Sequence, residues 1–287
     1  MSFVKPGMDG NGGSPALVRD RTTWLTGVIL IGLAALAWAA VFVQAQAMVR
    51  PAATADASMG MSGAAPTTPA GTFGAGAALA FVFAWGVMMT AMMLPSATPM
   101  IALYGTVRRN LAKAGRAGIP TALFALVYLV LWLATGIPVY LVGRLVNTAA
   151  GMNPAVASAL PYALAVTLIG AGVYQFTPLK RACLRVCSSP LSFLMGRWRA
   201  GPAGTFQMAL EHAGNCIGCC WALMVVLVAA GAMSLPWVLS LAALVFIEKI
   251  VPRGELTARI AGVVLVALGL LVFARPDLAA VLRGQGM

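Results

Sequence analysis

Residues 24–48 read WLTGVILIGLAALAWAAVFVQAQAM and contain no charged side chain. A run of this length exceeds the roughly 20 apolar residues that an α-helix needs to cross a bilayer. It is also too long for the core of a signal peptide, and no obvious cleavage site follows it. The run therefore predicts a first transmembrane helix.

The composition of the whole chain agrees with a membrane protein, because 61% of the 287 residues are hydrophobic and 9% are charged. A soluble domain carries about 25% charged residues and a disordered chain has low hydrophobicity, so both classes are excluded. Six more apolar runs predict an all-α, polytopic helical bundle with about seven transmembrane spans. They cover about Phe73–Met93, Ile119–Val142, Pro161–Phe176, Thr205–Gly231, Pro236–Ile250 and Ile260–Phe273.

The loops between the predicted spans carry an uneven distribution of positive charge. With alternating spans, 15 of the 19 Lys and Arg residues lie on one side of the membrane. An excess of Lys and Arg marks the cytoplasmic side, so the N-terminus is predicted to be cytoplasmic. The net charge of +12 then reflects orientation, and no nucleic-acid partner is predicted.

Composition along the chain predicts five parts. They are a flexible cytoplasmic tail (1–23), the first transmembrane helix (24–48), an extracytoplasmic linker (49–72), a metal-binding transmembrane bundle (73–275) and a C-terminal tail (276–287).

The segment EHAGNCIGCCWALM, residues 211–224, contains the only histidine of the chain and three of its five cysteines. On a helix that turns about 100° per residue, four of its side chains share one face over about two turns. These four are His212, Cys216, Cys219 and Cys220. Imidazole and thiolate are strong ligands for Cu(I) and Zn²⁺. Incidental packing explains one cysteine well, but this concentration on one face favours a metal site.

Two neighbours of these residues are further candidates. Glu211 is an acid at predicted membrane depth, where acids are costly and are usually paired or functional. It is predicted to hold the imidazole of His212, to accept a proton from a ligand, or to pair with Lys249. Met224 adds a thioether at the end of the segment.

A second segment, WGVMMTAMMLPS at residues 85–96, places four thioethers as a double stripe on one helix side: Met88, Met89, Met92 and Met93. Thioether sulfur suits Cu(I), although methionine is also an ordinary packing residue, and the two interpretations carry equal weight. Pro95 and Pro99 are expected to kink or end this helix. Gly214 and Gly218 form a small-xxx-small pair that would let the methionine helix approach the cysteine helix.

Cys183 and Cys187 lie one helical turn apart beside Lys180, Arg181 and Arg185. Nearby cations lower a thiol pKa and favour the metal-binding thiolate. The pair therefore predicts accessory ligands that hold a metal transiently, with two incidental interfacial cysteines as the alternative. On the reducing cytoplasmic side a structural disulfide is not expected.

These segments resemble a family of uncharacterised bacterial proteins described as predicted metal-binding integral membrane proteins. The resemblance covers roughly residues 75–270 and rests on Trp85–Pro95, Tyr174–Cys187 and His212–Met224. It implies a multi-pass fold in the bacterial inner membrane and metal binding, with copper as the natural candidate.

The sequence therefore predicts a membrane protein that binds a soft metal ion, Cu(I) first and zinc second, for copper transport or delivery. Its predicted partners are the lipid bilayer, the ion, and a copper chaperone or cuproenzyme. No P-loop or GxGxxG signature is present, and a binding protein is favoured over an enzyme. One alternative is a membrane thiol-disulfide oxidoreductase that uses Cys216, Cys219 and Cys220. The other is a scaffold or anchor subunit that binds no metal.

Overall fold

The computed structural model describes residues 21–54, 75–112, 118–199, 201–231, 234–251 and 253–283. Within these ranges the only regular secondary structure is helical, which confirms the predicted all-α class. The helices are α1 (Arg21–Thr54), α2 (Ala75–Ala112), α3 (Thr121–Ala134), α4 (Gly136–Met152), α5 (Pro154–Tyr174), α6 (Pro178–Ser188), α7 (Pro190–Arg197), α8 (Gly201–Gly231), α9 (Leu235–Ile250), α10 (Gly254–Ala274) and α11 (Leu278–Leu282).

Six helical segments of the described chain are long and apolar enough to cross a membrane, which supports a polytopic membrane protein. They are Thr23–Ala47, Ala75–Ala112, Thr121–Met152, Pro154–Tyr174, Gly201–Gly231 and Gly254–Ala274. The predicted span at Pro236–Ile250 corresponds to α9, which has 16 residues. A helix of that length rises roughly 24 Å, less than the hydrocarbon core of about 30 Å. Helix α9 packs against α2, α8 and α10, and its C-terminal end meets the start of α6 through the Glu248–Lys180 pair.

Helix α2 does not end at Met93, as the two prolines led us to expect, but continues to Ala112. The hydroxyls of Ser96 and Thr98 donate hydrogen bonds to the carbonyls of Met93 and Leu94, within the stretch that the prolines interrupt. Hydroxyl groups and neighbouring helices can compensate for the backbone hydrogen bonds that proline removes. These hydroxyl hydrogen bonds let α2 continue beyond its two prolines.

The boundary of α5 also differs from the prediction, because the helix starts at Pro154 rather than near residue 161. The Asn153 side chain accepts a hydrogen bond from the backbone N–H of Ala155. A side-chain cap followed by proline at the first helical position is a common start of a helix. The lightly charged stretch before residue 161 is therefore helical on both sides of Asn153.

Helices α5 and α10 approach each other through glycines. A Cβ atom on Gly172 would lie 2.7 Å from the carbonyl oxygen of Gly262, and a Cβ on Gly262 would lie 2.9 Å from that of Gly172. Small residues at such crossings let two membrane helices pack backbone against backbone. This contact fixes the α5–α10 pair. Helix α5 leads into α6, which carries Cys183 and Cys187.

The predicted tails and linker fall mostly outside the described residues, which begin at 21 and leave out 55–74 and 284–287. Helix α1 extends to Thr54, beyond the predicted linker start at 49. The predicted C-terminal tail begins with the short helix α11. The division into five parts stays a prediction.

Candidate metal centre

Three buried cysteines of one helix and a partly buried cysteine of another lie near each other, and we name Cys187, Cys216, Cys219 and Cys220 the thiol cluster. Helix α8 supplies three of them on one buried face, and both Cys219 and Cys220 point inward. Helix α6 packs along α8 and brings Cys187 near Cys216 and Cys219, whose thiols raise the pKa of the Cys187 thiol. All four are free thiols. Soft ligands from separate helices are thereby assembled in one place.

The thiol of Cys216 is the most strongly polarised of the cluster. Its Sγ lies 3.0 Å from the Lys249 Nζ, which donates to it, and 3.1 Å from the Tyr128 hydroxyl. A cation and a hydroxyl in contact with one sulfur favour its negatively charged form. The Sγ atoms of Cys219 and Cys220 instead donate to the Cys216 carbonyl oxygen at 3.1 and 3.0 Å.

Lys249 is a buried cation that joins α9 to the cysteine and methionine helices. Besides Cys216, its Nζ lies 3.4 Å from the Ser96 Oγ and 3.9 Å from the Met93 Sδ. An ammonium group inside a protein is costly unless it is paired. Sulfur therefore serves as its main partner, and Lys249 does not pair with Glu211 as one prediction proposed.

A second buried charge lies beside Lys249. The Lys180 Nζ donates to the Glu248 Oε2 at 2.6 Å, and both side chains are almost fully buried. The other oxygen of Glu248 is buried without a hydrogen-bond partner among the described residues. This pair ties the start of α6 to the end of α9, and so positions the helix that carries Cys187.

His212 lies one turn before Cys216 in a pocket of aromatic rings. The imidazole centroid is 5.6 Å from that of Tyr128, 5.9 Å from that of Phe193 and 6.2 Å from that of Phe124. Both ring nitrogens are buried, and neither has a hydrogen-bond partner in the part of the chain that the structure describes. Buried polar atoms are normally satisfied, so these two nitrogens are candidates for a ligand. Tyr128 links His212 to Cys216.

Glu211 is not part of this centre. Its carboxylate forms ion pairs with Arg197 at 3.1 Å and with Arg199 at 3.4 Å, and it is partly exposed. The predicted roles toward His212 and Lys249 are therefore wrong. On α8 the side chain of Glu211 is rotated by about 100° from that of His212, and it turns to the basic segment before the helix.

The methionine stripe lies in the core, but only its last member is in contact with a polar group of the centre. Met88, Met89, Met92 and Met93 are all buried, as is Met224. Met93 contacts Lys249, whereas Met88 lines a small cavity with residues of α1 and α9. Packing explains most of the stripe.

Cys183 lies beside α8 at Gly218. A Cβ on Gly218 would lie 3.0 Å from the Cys183 Sγ, while nothing lies within 4 Å of one on Gly214. The glycine pair therefore admits α6 at one position, and not the methionine helix. Burial raises the pKa of the Cys183 thiol, and contacts with Cys216 and Cys219 raise that of Cys187. The net direction is therefore opposite to the predicted lowering for both thiols, although Lys180 does oppose the rise at Cys183.

Two members of the centre were missed by the sequence analysis. Tyr128 contacts both Cys216 and His212 from α3, and Ser96 contacts Lys249 from α2. A hydroxyl within an apolar run is a weak signal, because such residues also bind their own helix backbone. Lys249, near the end of the apolar run 236–250, was a stronger signal, since an intramembrane charge is usually functional.

The arrangement offers sulfur ligands but does not present them in a metal geometry. Among the described residues no group of three or more His, Cys, Asp or Glu side chains is arranged to hold a metal ion. The thiols of Cys219 and Cys220 both donate to the carbonyl oxygen of Cys216. Rotating these cysteine side chains about χ1 so that they face a metal ion is a small change compared with moving a helix.

Comparison with known families gives one finding. The family model described as PpoB2, copper chaperone, matches residues 82–272, about two thirds of the chain. The matched region contains the methionine stripe, the thiol cluster and His212. Neither the curated proteins nor the solved structures give a match.

Proposed function

The chain belongs to the PpoB2 copper chaperone family, and from this premise we propose that it binds Cu(I) at the thiol cluster and delivers the ion to a cuproenzyme. The observation that carries the proposal is a group of four free thiols from α6 and α8, one of which, that of Cys216, contacts a buried ammonium. The predicted resemblance to a metal-binding membrane family, with copper as the natural candidate, agrees with this copper-related family match.

Charge balance favours a monovalent soft ion. Cu(I) bound by two thiolates carries one net negative charge, and the Lys249 ammonium beside Cys216 supplies the matching positive charge. Thiolates are preferred ligands of Cu(I), and their deprotonation makes uptake release protons. Zinc with two thiolates would leave the buried site with an excess of positive charge, so it remains the second choice.

His212 and Met93 are the proposed secondary ligands. The imidazole offers two buried nitrogens that have no partner among the described residues, about 6 Å along the helix axis from Cys216. Met93 offers a thioether next to Lys249. Neighbouring soft ligands of different strength let an ion move in steps without becoming hydrated, which suits delivery. This step does not need the remaining candidate residues, which are Met88, Met89, Met92, Met224, Cys183 and Glu211.

The proposed setting is the bacterial inner membrane, with the thiol cluster nearer the cytoplasmic side because the basic segments around α6 and α10 lie there by the positive-inside rule. Delivery moves an ion and changes no covalent bond of a substrate, so the proposal is for a carrier and not an enzyme.

Elemental analysis tests the proposal directly. The detergent-purified protein is measured as isolated and after anaerobic loading with Cu(I), beside the variant C216S/C219S/C220S. We expect about one copper per chain that is lost in the triple variant. Cys183→Ser is the matched control, because it removes a neighbouring thiol outside the cluster. Equal copper in wild type and triple variant would contradict the proposal.

The thiol contacts also favour a second candidate, the thiol-disulfide oxidoreductase. Cys187 is near enough to the pair Cys216 and Cys219 for both to raise its pKa, and the Lys249 cation beside Cys216 favours a nucleophilic thiolate. That function predicts a disulfide within the cluster after mild oxidation, with no copper bound. Thiol titration under reducing and oxidising conditions, run on the samples used for metal analysis, separates the two.

A further inference from the structure

A cavity of about 720 Å³ opens beside the thiol cluster, where α6, α9 and the first turns of α10 meet. Its volume falls within the range of small-molecule sites, about 300–1,000 Å³. We name it the vestibule. Its charged lining residues are Arg185, Glu248, Lys249, Arg253, Glu255 and Arg259.

The vestibule extends from the surface to Lys249, which contacts the thiol cluster. The side chain of Arg185 at its mouth is 70% exposed and that of Glu255 is 43% exposed. Lys249 is 6% exposed, and its Nζ contacts the Cys216 Sγ at 3.0 Å. One side chain therefore lines the cavity and contacts the proposed copper ligand.

The walls of the vestibule carry an excess of positive charge. Both acids are engaged, Glu248 with Lys180 at 2.6 Å and Glu255 with Arg185 at 3.6 Å. Arg253 and Arg259 have no carboxylate partner within the described ranges. A cleft lined by one sign of charge concentrates ligands of the opposite sign and repels those of its own sign. Free Cu⁺ is disfavoured here, although the proposed copper site lies directly behind.

We propose that the vestibule receives Cu(I) as an anionic bis-thiolate complex of a small, carboxylate-bearing thiol; this rests on the copper function proposed above. Two thiolates give the Cu(I) core one negative charge, and the carboxylates add more. Arg253 and Arg259 attract the carboxylates, while Lys249 faces the negative Cu–S core. The positive charge that repels free Cu⁺ therefore attracts the anionic copper complex.

Transfer occurs by exchange of thiolates and involves no oxidation or reduction. The Cys216 sulfur and one neighbouring cluster sulfur form two Cu–S bonds as the two bonds to the carrier break. Cys216 reacts as the thiolate that Lys249 stabilises, the neighbouring protein thiol gives its proton to one leaving carrier thiolate, and the second carrier thiolate leaves as the anion or takes a proton from solvent. Copper stays Cu(I), and one negative charge is present on the copper–dithiolate core before and after.

The test compares two Cu(I) donors that share sulfur ligation and differ in charge: the glutathione complex, which is anionic, and the cysteamine complex, which is cationic. Transfer to the full-length, detergent-purified protein is followed anaerobically by rapid desalting and elemental analysis. The variants are R253Q/R259Q and, as the matched control, Arg275→Gln, which removes a positive charge at the other end of α10.

We expect wild type to take copper from the glutathione complex at least tenfold faster than R253Q/R259Q does at low ionic strength. Added salt should shrink this difference, Arg275→Gln should behave as wild type, and final stoichiometry should stay unchanged. Equal loading rates in wild type and R253Q/R259Q would overturn the vestibule proposal but leave the copper site standing. Loss of copper uptake from both donors in wild type would overturn the copper function itself.

A lipid phosphate has the same anionic chemistry, and a second arm separates it. Loading is repeated in nanodiscs of phosphatidylcholine alone and with added phosphatidylglycerol. An effect of R253Q/R259Q that is present in phosphatidylcholine supports the thiol complex. An effect that appears only with phosphatidylglycerol assigns the arginines to lipid headgroups and overturns the proposal.

Discussion

The middle of α8 and the middle of α2 both concentrate sulfur, yet the two regions are built differently. The cysteines of α8 meet a cysteine from α6 and a lysine from α9, and polar groups surround them. The methionines of α2 are buried among apolar side chains, and Met93 alone contacts the same lysine. The first region combines ligands with a counter-charge, whereas the second is mainly a packed core.

This difference teaches that a ligand-type residue acquires chemistry from what meets it. A buried cation beside sulfur is expensive unless the sulfur carries negative charge, so its presence marks the cysteine region as more than packing. A buried thioether costs nothing and needs no partner. Substitutions in the two regions should therefore have effects of very different size.

The largest effect is expected at the buried ion pair that holds α6 against α9. Lys180→Met leaves Glu248 buried without its cation and should destabilise the protein by about 3–5 kcal/mol. Thermal unfolding in detergent measures the loss. The double variant K180M/E248L should recover most of the stability, since apolar pairs of similar volume replace buried ion pairs well. An unchanged midpoint in Lys180→Met would show that the pair does not hold this region.

Lys249→Met should weaken Cu(I) binding by roughly 10- to 100-fold, or about 1.4–2.7 kcal/mol. It removes the positive charge that balances the copper–dithiolate core. A competition titration with a Cu(I) chelator measures the affinity. Lys249→Arg keeps the charge and should stay closer to wild type. If the Lys249→Met and Lys249→Arg variants bind copper equally well, the positive charge does not contribute to copper binding. The proposed difference between the two regions would then fail.

Within the cysteine region, Cys187 and Cys183 form a matched pair on one helix. Cys187→Ser should lower Cu(I) affinity about tenfold, because Cys187 lies near Cys216 and Cys219 of α8, which both raise the pKa of its thiol. Cys183→Ser should leave the affinity unchanged, since Cys183 packs at Gly218. The same chelator competition decides. A larger loss in Cys183→Ser than in Cys187→Ser would place the copper elsewhere along α6.

The smallest effect is expected in the methionine region. Met93→Leu should weaken copper binding a few-fold and Met92→Leu should leave it unchanged, while each costs less than about 1.5 kcal/mol of stability. Affinity and thermal unfolding are measured on both variants. Equal and large losses of copper affinity would mean that the whole stripe binds metal, and would remove the contrast between the two helices.

The sequence predicted the helical membrane fold and the shared face of Cys216, Cys219 and Cys220, because composition and helical period are local properties. It did not predict that α2 continues through its prolines, since that depends on packing. Nor did it predict that Glu211 turns to Arg197, or that Lys249 approaches Cys216, because distant residues meet only in the folded bundle. The contact between Cys187 and α8 is of the same kind.

The most direct test of the thiol cluster as the copper site is X-ray absorption at the copper edge on the anaerobically loaded protein. We predict a first shell dominated by sulfur in wild type, with fewer sulfur neighbours in Cys187→Ser and no change in Cys183→Ser. A first shell made mainly of nitrogen and oxygen, identical in all three proteins, would contradict the account.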